Sequence, residues 1–177
     1  GPVLTKDGRL GYTIEKYTEW SQPHKNEKLT VPVFYTSAYG NTRILAQEIR
    51  RGILEAKPDA VVDLYDIIDY DMGMLSDLLN RSDAFALGSP TINGEAVPPV
   101  WSLLAHVDVI NNKKKPVLVF GSYGWSGEAV PNLIARVTGL KMSVFGEGMK
   151  VCFVPSQEDL QKAAELGKAF GETLSIR

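Results

Sequence analysis

The chain has 177 residues, with 19 Lys and Arg against 21 Asp and Glu, two His and one Cys. That is one domain with a substantial core and some sequence to spare. The near-neutral balance leaves nucleic-acid binding without support, since Lys113-Lys114-Lys115 is the one basic run; lone Cys152 excludes an internal disulfide, and no signal peptide or long apolar span suggests a membrane partner. The expectation is a cytoplasmic protein.

Residues 1–30 are polar, hold Gly1, Pro2, Gly8, Gly11 and Pro23, and show no sustained period. They read as an N-terminal extension or linker anchored by Tyr12, Ile14, Tyr17 and Trp20, and Gly1-Pro2 also fits the remnant of a processed tag. Residues 31–177 then alternate. Val31 to Thr36 is a buried strand, and a helix from Arg43 to Glu55 puts Leu45, Ile49 and Ile53 on one face. Ala60 to Tyr65 is a second strand, Met74 to Asn80 a short helix, and Ala84 to Gly88 a third strand. Pro98-Pro99 opens a helix carrying Val100, Leu103, Leu104 and Val107. Pro116 to Gly121 is the fourth strand, and a helix from about Glu128 carries Val130, Leu133, Ile134 and Val137 up to Gly139. Met142 to Phe145 and Met149 to Val154 form two halves of a fifth strand, and the last helix carries Leu160, Ala163, Gly167, Phe170 and Leu174. The three lysines form a solvated loop, and Cys152, inside an apolar strand, is a small core residue.

Strands alternating with helices predict an α/β fold, a parallel sheet with helices on both faces. Such sheets bind ligands beyond the carboxyl ends of their strands. Three loops meet there. The first is Thr36-Ser37-Ala38-Tyr39-Gly40-Asn41-Thr42, running straight into a helix whose first-turn N–H groups lack intrahelical partners. It offers hydroxyls, an amide and a glycine, without the lysine of a P-loop or the Gly-x-Gly-x-x-Gly fingerprint, and so suits one terminal phosphate. An ordinary capped turn is its plain alternative. The second loop is Gly88-Ser89-Pro90-Thr91-Ile92-Asn93-Gly94-Glu95 and the third Gly121-Ser122-Tyr123-Gly124-Trp125-Ser126-Gly127. They add backbone donors, hydroxyls and flat apolar side chains. A planar heterocycle carrying one phosphate fits the set, and FMN is the candidate. Trp125 supplies one stacking face, with Tyr123 or Ile92 on the other.

The first loop resembles the phosphate loop of flavodoxin-like proteins, and the other two resemble the flavin loops of flavodiiron proteins (A-type flavoproteins), in which a flavodoxin domain follows a metallo-β-lactamase-like diiron domain. The resemblance implies a five-stranded sheet in the order 2-1-3-4-5. It also implies bound FMN held by Thr36 to Thr42, by Pro90 to Gly94, and by Ser122, Tyr123, Gly124, Trp125 and Gly127. The implied partners are the diiron domain and a rubredoxin-like or reductase electron donor, with a homodimer in the full-length form. This chain departs from the pattern in having only His24 and His106 and no His-x-Glu-x-Asp-His motif. No metal site and no catalytic residue are therefore expected. The implied role is an electron-transfer module; the rivals are a stand-alone flavodoxin, an FMN-dependent NAD(P)H:quinone reductase, and a non-redox phosphate-binding domain.

Overall fold

The computed structural model describes residues 26–177. The expectations for Gly1-Pro2, for the aromatic anchors Tyr12, Ile14, Tyr17 and Trp20, and for His24 lie outside the described residues.

Val33–Tyr35 forms β1, and Asn41–Ala56 forms α1. Next come β2 (Leu64–Asp66), α2 (Met72–Arg81), β3 (Phe85–Ile92), the short β4 (Glu95–Ala96) and α3 (Pro98–Ala105). The chain continues through β5 (Pro116–Tyr123), α4 (Ala129–Gly139), β6 (Ser143–Val144), β7 (Met149–Cys152) and α5 (Gln157–Glu172). The sheet runs β2-β1-β3-β5-β6 with β7 also on β5, and all of these pairs are parallel. With β6 and β7 as the halves of one strand, this is the expected 2-1-3-4-5 order. Short β4 turns back antiparallel on β3 and was not anticipated.

Successive strand residues point to opposite faces, and both faces are covered, so the central strands read as continuous apolar runs. Val33, Tyr35, Ala86, Leu118 and Phe120 pack with Leu45, Ile49 and Ile53 of α1 and with Ala163 and Phe170 of α5. Phe34, Phe85, Leu87, Val117 and Val119 pack with Leu75 and Leu79 of α2, Val100 and Leu103 of α3, and Leu133 and Val137 of α4. Helices α1 and α5 approach closely because two contact positions lack a side chain. A Cβ on Gly52 would strike the Ala164 carbonyl, and one on Gly167 the Ile49 carbonyl.

Four expectations need correction. Strands β3 and β5 run further than the sequence suggested, because backbone pairing continues from Phe85 opposite Val117 to Pro90 opposite Ser122. Pro90, Thr91 and Ile92 thus belong to a strand, not a loop. The second strand is shorter and later than Ala60 to Tyr65, though an isolated parallel bridge joins Thr30 and Val61.

The other two concern burial. Cys152 ends β7 with its thiol exposed, because the strand lies at the sheet margin. Lys115, in the connection just before β5, is not solvated: it is 1% exposed, and its Nζ donates to the carbonyls of Leu79 at 2.7 Å and Asn80 at 3.1 Å. Those carbonyls lie at the negative end of α2, where a cation is favoured. Lys113 and Lys114 are exposed as expected.

Candidate functional site

The site grows from the junction of β1 and α1. Gly40 precedes the helix with φ 86°, a left-handed conformation that costs glycine little, and nothing stands within 4 Å of where its Cβ would be. Asn41 and Thr42 are the first two helical residues, so their N–H groups have no intrahelical acceptor by position. Ser37 Oγ accepts from the Arg43 amide at 3.2 Å, which closes the loop on the helix start. Ala38 and Tyr39 stand outside, with Tyr39 92% exposed.

The three segments are stitched together. Thr36 N–H donates to the Gly88 carbonyl at 3.2 Å, tying the first loop to β3. Thr42 Oγ1 and Ser122 Oγ lie 2.8 Å apart, both buried, tying it to β5. The Ala129 amide donates to Thr91 Oγ1 at 3.3 Å, tying the start of α4 to β3. Asn93 and Gly94 form a two-residue hairpin between β3 and β4, with φ 52° and 74°, as a type I′ turn requires. Asn132 Nδ2 reaches the Gly94 carbonyl at 3.4 Å. Ser89, buried, accepts from the Val97 amide at 3.1 Å and donates to the Pro90 carbonyl at 2.8 Å.

The third segment leaves β5 at Tyr123 and enters α4 at Ala129. Gly124 and Trp125 are exposed, Trp125 by 96%, while Gly127 is buried with φ 76°. Thus all seventeen residues singled out in the sequence lie along one edge of the sheet, in three segments joined by hydrogen bonds. Tyr39, Ile92 and Trp125 are exposed there, although large apolar side chains ordinarily seek the core.

Whether a phosphate-bearing flavin suits these residues is decided by Thr36. Its Oγ1 is buried with no hydrogen-bond partner, an orphan that a ligand oxygen would satisfy. The same segment carries neutral donors, a helix N-terminus and an open Gly40, a donor set that fits a phosphate.

Sequence reasoning missed a flank of this site. Asp66 closes β2 directly opposite Tyr35, is buried, and accepts from Arg43 Nη2 at 3.3 Å. Burial pushes its carboxyl above the ordinary carboxylate value, while Arg43 pulls the other way. Burial likewise raises the Tyr35 phenol. A signal for it exists in the sequence: Asp66 ends a strand at the same carboxyl edge as the three segments.

Comparison with known proteins bears directly on this geometry. The flavodoxin family profile matches residues 33–167. The chain belongs to the flavodoxin family. It is 45% identical over 174 residues to a flavo-diiron protein of Clostridium acetobutylicum, an alignment covering 98% of this chain and 44% of that relative. The flavodiiron protein from Giardia intestinalis superposes with TM-score 0.76 at 30% identity, over 92% of this chain and 40% of that one. An oxidised flavodoxin from Bacillus cereus superposes with TM-score 0.70 at 28% identity, over 82% of this chain and 99% of the flavodoxin. The chain therefore spans under half the length of the flavodiiron relatives and corresponds to their flavodoxin-like part. The cofactor of this flavodoxin-like fold is FMN. Among the described residues no cluster of His, Cys, Asp or Glu is placed to hold a metal, and no helix is long and apolar enough to cross a membrane.

Proposed function

We propose that this chain is the FMN domain of a longer flavodiiron-type protein in the cytoplasm. It receives electrons from a rubredoxin-like protein or a reductase and relays them to a diiron centre in a metallo-β-lactamase-like domain, where dioxygen or nitric oxide is reduced. The observation that carries the reading is the hydrogen-bonded convergence of three segments at one edge of the sheet, with the unpartnered Thr36 hydroxyl in the first of them. The high identity to a flavo-diiron protein over almost the whole chain supports the larger context. Residues 1–30 act as the link between domains, and the full-length protein is a homodimer.

FMN supplies the reversible electron acceptor when bound; the protein sets where it sits and what surrounds it. Ser37, Tyr39, Gly40, Asn41 and Thr42, with Thr36 beneath, hold the phosphate through first-turn N–H groups, hydroxyls and the Asn41 amide. The Thr42–Ser122 contact fixes the spacing between phosphate loop and ring loop. Pro90, Thr91, Ile92, Asn93 and Gly94, with Ser122, Tyr123, Gly124, Trp125 and Gly127, would surround the ring. Trp125 and Tyr123 or Ile92 exclude water from the ring faces.

Acid-released cofactor from the purified chain is expected to run as FMN on chromatography, and FAD or no flavin would overturn the reading. Asn41→Asp keeps the shape but replaces a donor with a charge beside the phosphate. It should weaken FMN binding roughly 100-fold or more, from a repulsion of a few kcal/mol in a partly buried site. Relay function predicts rapid bleaching of the flavin on mixing with reduced rubredoxin. Sustained NAD(P)H:quinone turnover by the chain alone would favour the quinone reductase instead.

A further inference from the structure

Lys150 lies on β7, outside the three segments, yet its side chain is committed to the third. Its Nζ stands 5.8 Å from the centroid of the Tyr123 ring, within reach of a cation–π contact. Its stem runs against Gly127, where an added Cβ would meet Lys150 Cδ at 3.2 Å. At the far end of the segment, Glu128 bonds the Ser126 hydroxyl at 2.7 Å. That bond chiefly, and the Lys150 charge in smaller part, hold the Glu128 carboxyl below its ordinary value. The strand geometry makes this reach dependable, since Gly121 faces Lys150, Ser122 faces Val151 and Tyr123 faces Cys152 in register. One flexible cation therefore reaches the Tyr123 ring and the backbone of buried Gly127, the two ends of the third segment, and its charge is felt at Glu128 just beyond.

We propose that Lys150 is a positioning residue of the flavin site, which holds Tyr123–Gly127 in shape and places a positive charge beside the bound ring. The second half rests on the FMN reading above. Adding two electrons and one proton to the isoalloxazine leaves it with one more negative charge than before. A nearby ammonium therefore favours the reduced cofactor over the oxidised one and raises the reduction potential. Glu128, anchored at the other end of the segment, opposes it.

The test uses the intact chain with Lys150→Met, Lys150→Arg and Glu128→Gln, read in two ways. Without cofactor, amide hydrogen exchange over residues 123–127 should be severalfold faster in Lys150→Met and near wild type in Lys150→Arg. With FMN, a dithionite titration against an indicator dye should give a more negative midpoint for Lys150→Met. That shift corresponds to a roughly two- to fivefold change in the ratio of oxidised to reduced affinity, the size of an exposed charge interaction. High salt should shrink it, Lys150→Arg should abolish it, and Glu128→Gln should move the midpoint upward. A Lys150→Met protein with wild-type exchange, midpoint and salt dependence would overturn the proposal. Wild-type protein that takes up no FMN would overturn the functional reading and the charge effect with it, leaving hydrogen exchange to decide the positioning role.

Discussion

The two edges of the sheet differ in how far the chain itself covers its polar and apolar groups. At the amino edge it satisfies the buried polar ones itself. Buried Asp83 accepts from Asn26 Nδ2 at 3.0 Å, from the Thr30 amide at 2.8 Å and from the Arg177 amide at 2.9 Å. Lys115 caps two carbonyls of α2, and Asn112 Nδ2 bonds Asn80 Oδ1 at 2.8 Å. Asn112 Oδ1 is the exception there. At the carboxyl edge Thr42, Ser122 and Ser89 are paired too, but the Thr36 hydroxyl and Asp66 Oδ1 have no partner, and Tyr39 and Trp125 face solvent. The first arrangement stabilises the fold outright. The second gives up stability that a ligand bound at that edge would restore.

The amino edge gives the largest expected effect. Burial pushes the Lys115 ammonium down to about 7 from an ordinary value of 10.5. Between those values the unfolded chain binds a proton that the folded chain does not, so stability rises with pH; below about 7 both are charged and the slope vanishes. The limit is about 1.4 kcal/mol per pH unit. Urea midpoints should climb from pH 7 to 9 in the wild type and stay level in Lys115→Met, while FMN affinity stays the same. A level wild-type curve would mean that the two carbonyls keep the ammonium charged throughout, and that this edge is closed more tightly than burial suggests.

A smaller effect of mixed sign is expected at Thr36. Thr36→Val keeps the shape and removes the orphan hydroxyl. The cofactor-free protein should gain about 1 kcal/mol of stability, and FMN affinity should fall about tenfold. The same swap at a satisfied group would lose stability instead. If Thr36→Val destabilises the cofactor-free protein and leaves FMN binding intact, the hydroxyl serves the fold, and the contrast between the edges fails at its central residue.

The contrast also explains what could be read from the sequence. That the three segments share the carboxyl edge was legible because the residues of each are adjacent in the chain and follow apolar runs, and such edges are where this kind of sheet takes ligands. The amino edge was not. Asp83, Thr30, Asn26 and Arg177 meet only in three dimensions, and Lys115 looked like the end of a basic run. The β4 hairpin is hard to read although Asn93-Gly94 is a strong two-residue turn signal, because the strand that returns is only Glu95–Ala96 and too short to show an alternating pattern. Cys152 was misplaced because an apolar tetrapeptide does not reveal that its strand lies at the sheet margin.

The smallest effect expected is at Trp125, and it is the cleanest separation of fold from ligand. The half-buried Trp101 packs against the core, whereas Trp125 is 96% exposed beside the flavin segment. Trp125→Ala should leave the stability of the cofactor-free protein within about 0.5 kcal/mol of wild type, as surface substitutions do. Its loss should appear only with FMN bound, as roughly 0.5–1.5 kcal/mol of aromatic contact beyond area burial. Flavin fluorescence, strongly quenched in the wild type by an adjacent indole, should partly recover. Unchanged fluorescence and affinity would remove Trp125 from the ring site and leave Tyr123 and Ile92 to cover the flavin. A drop in cofactor-free stability would instead show that the exposed indole belongs to the fold, against the division of labour between the two edges.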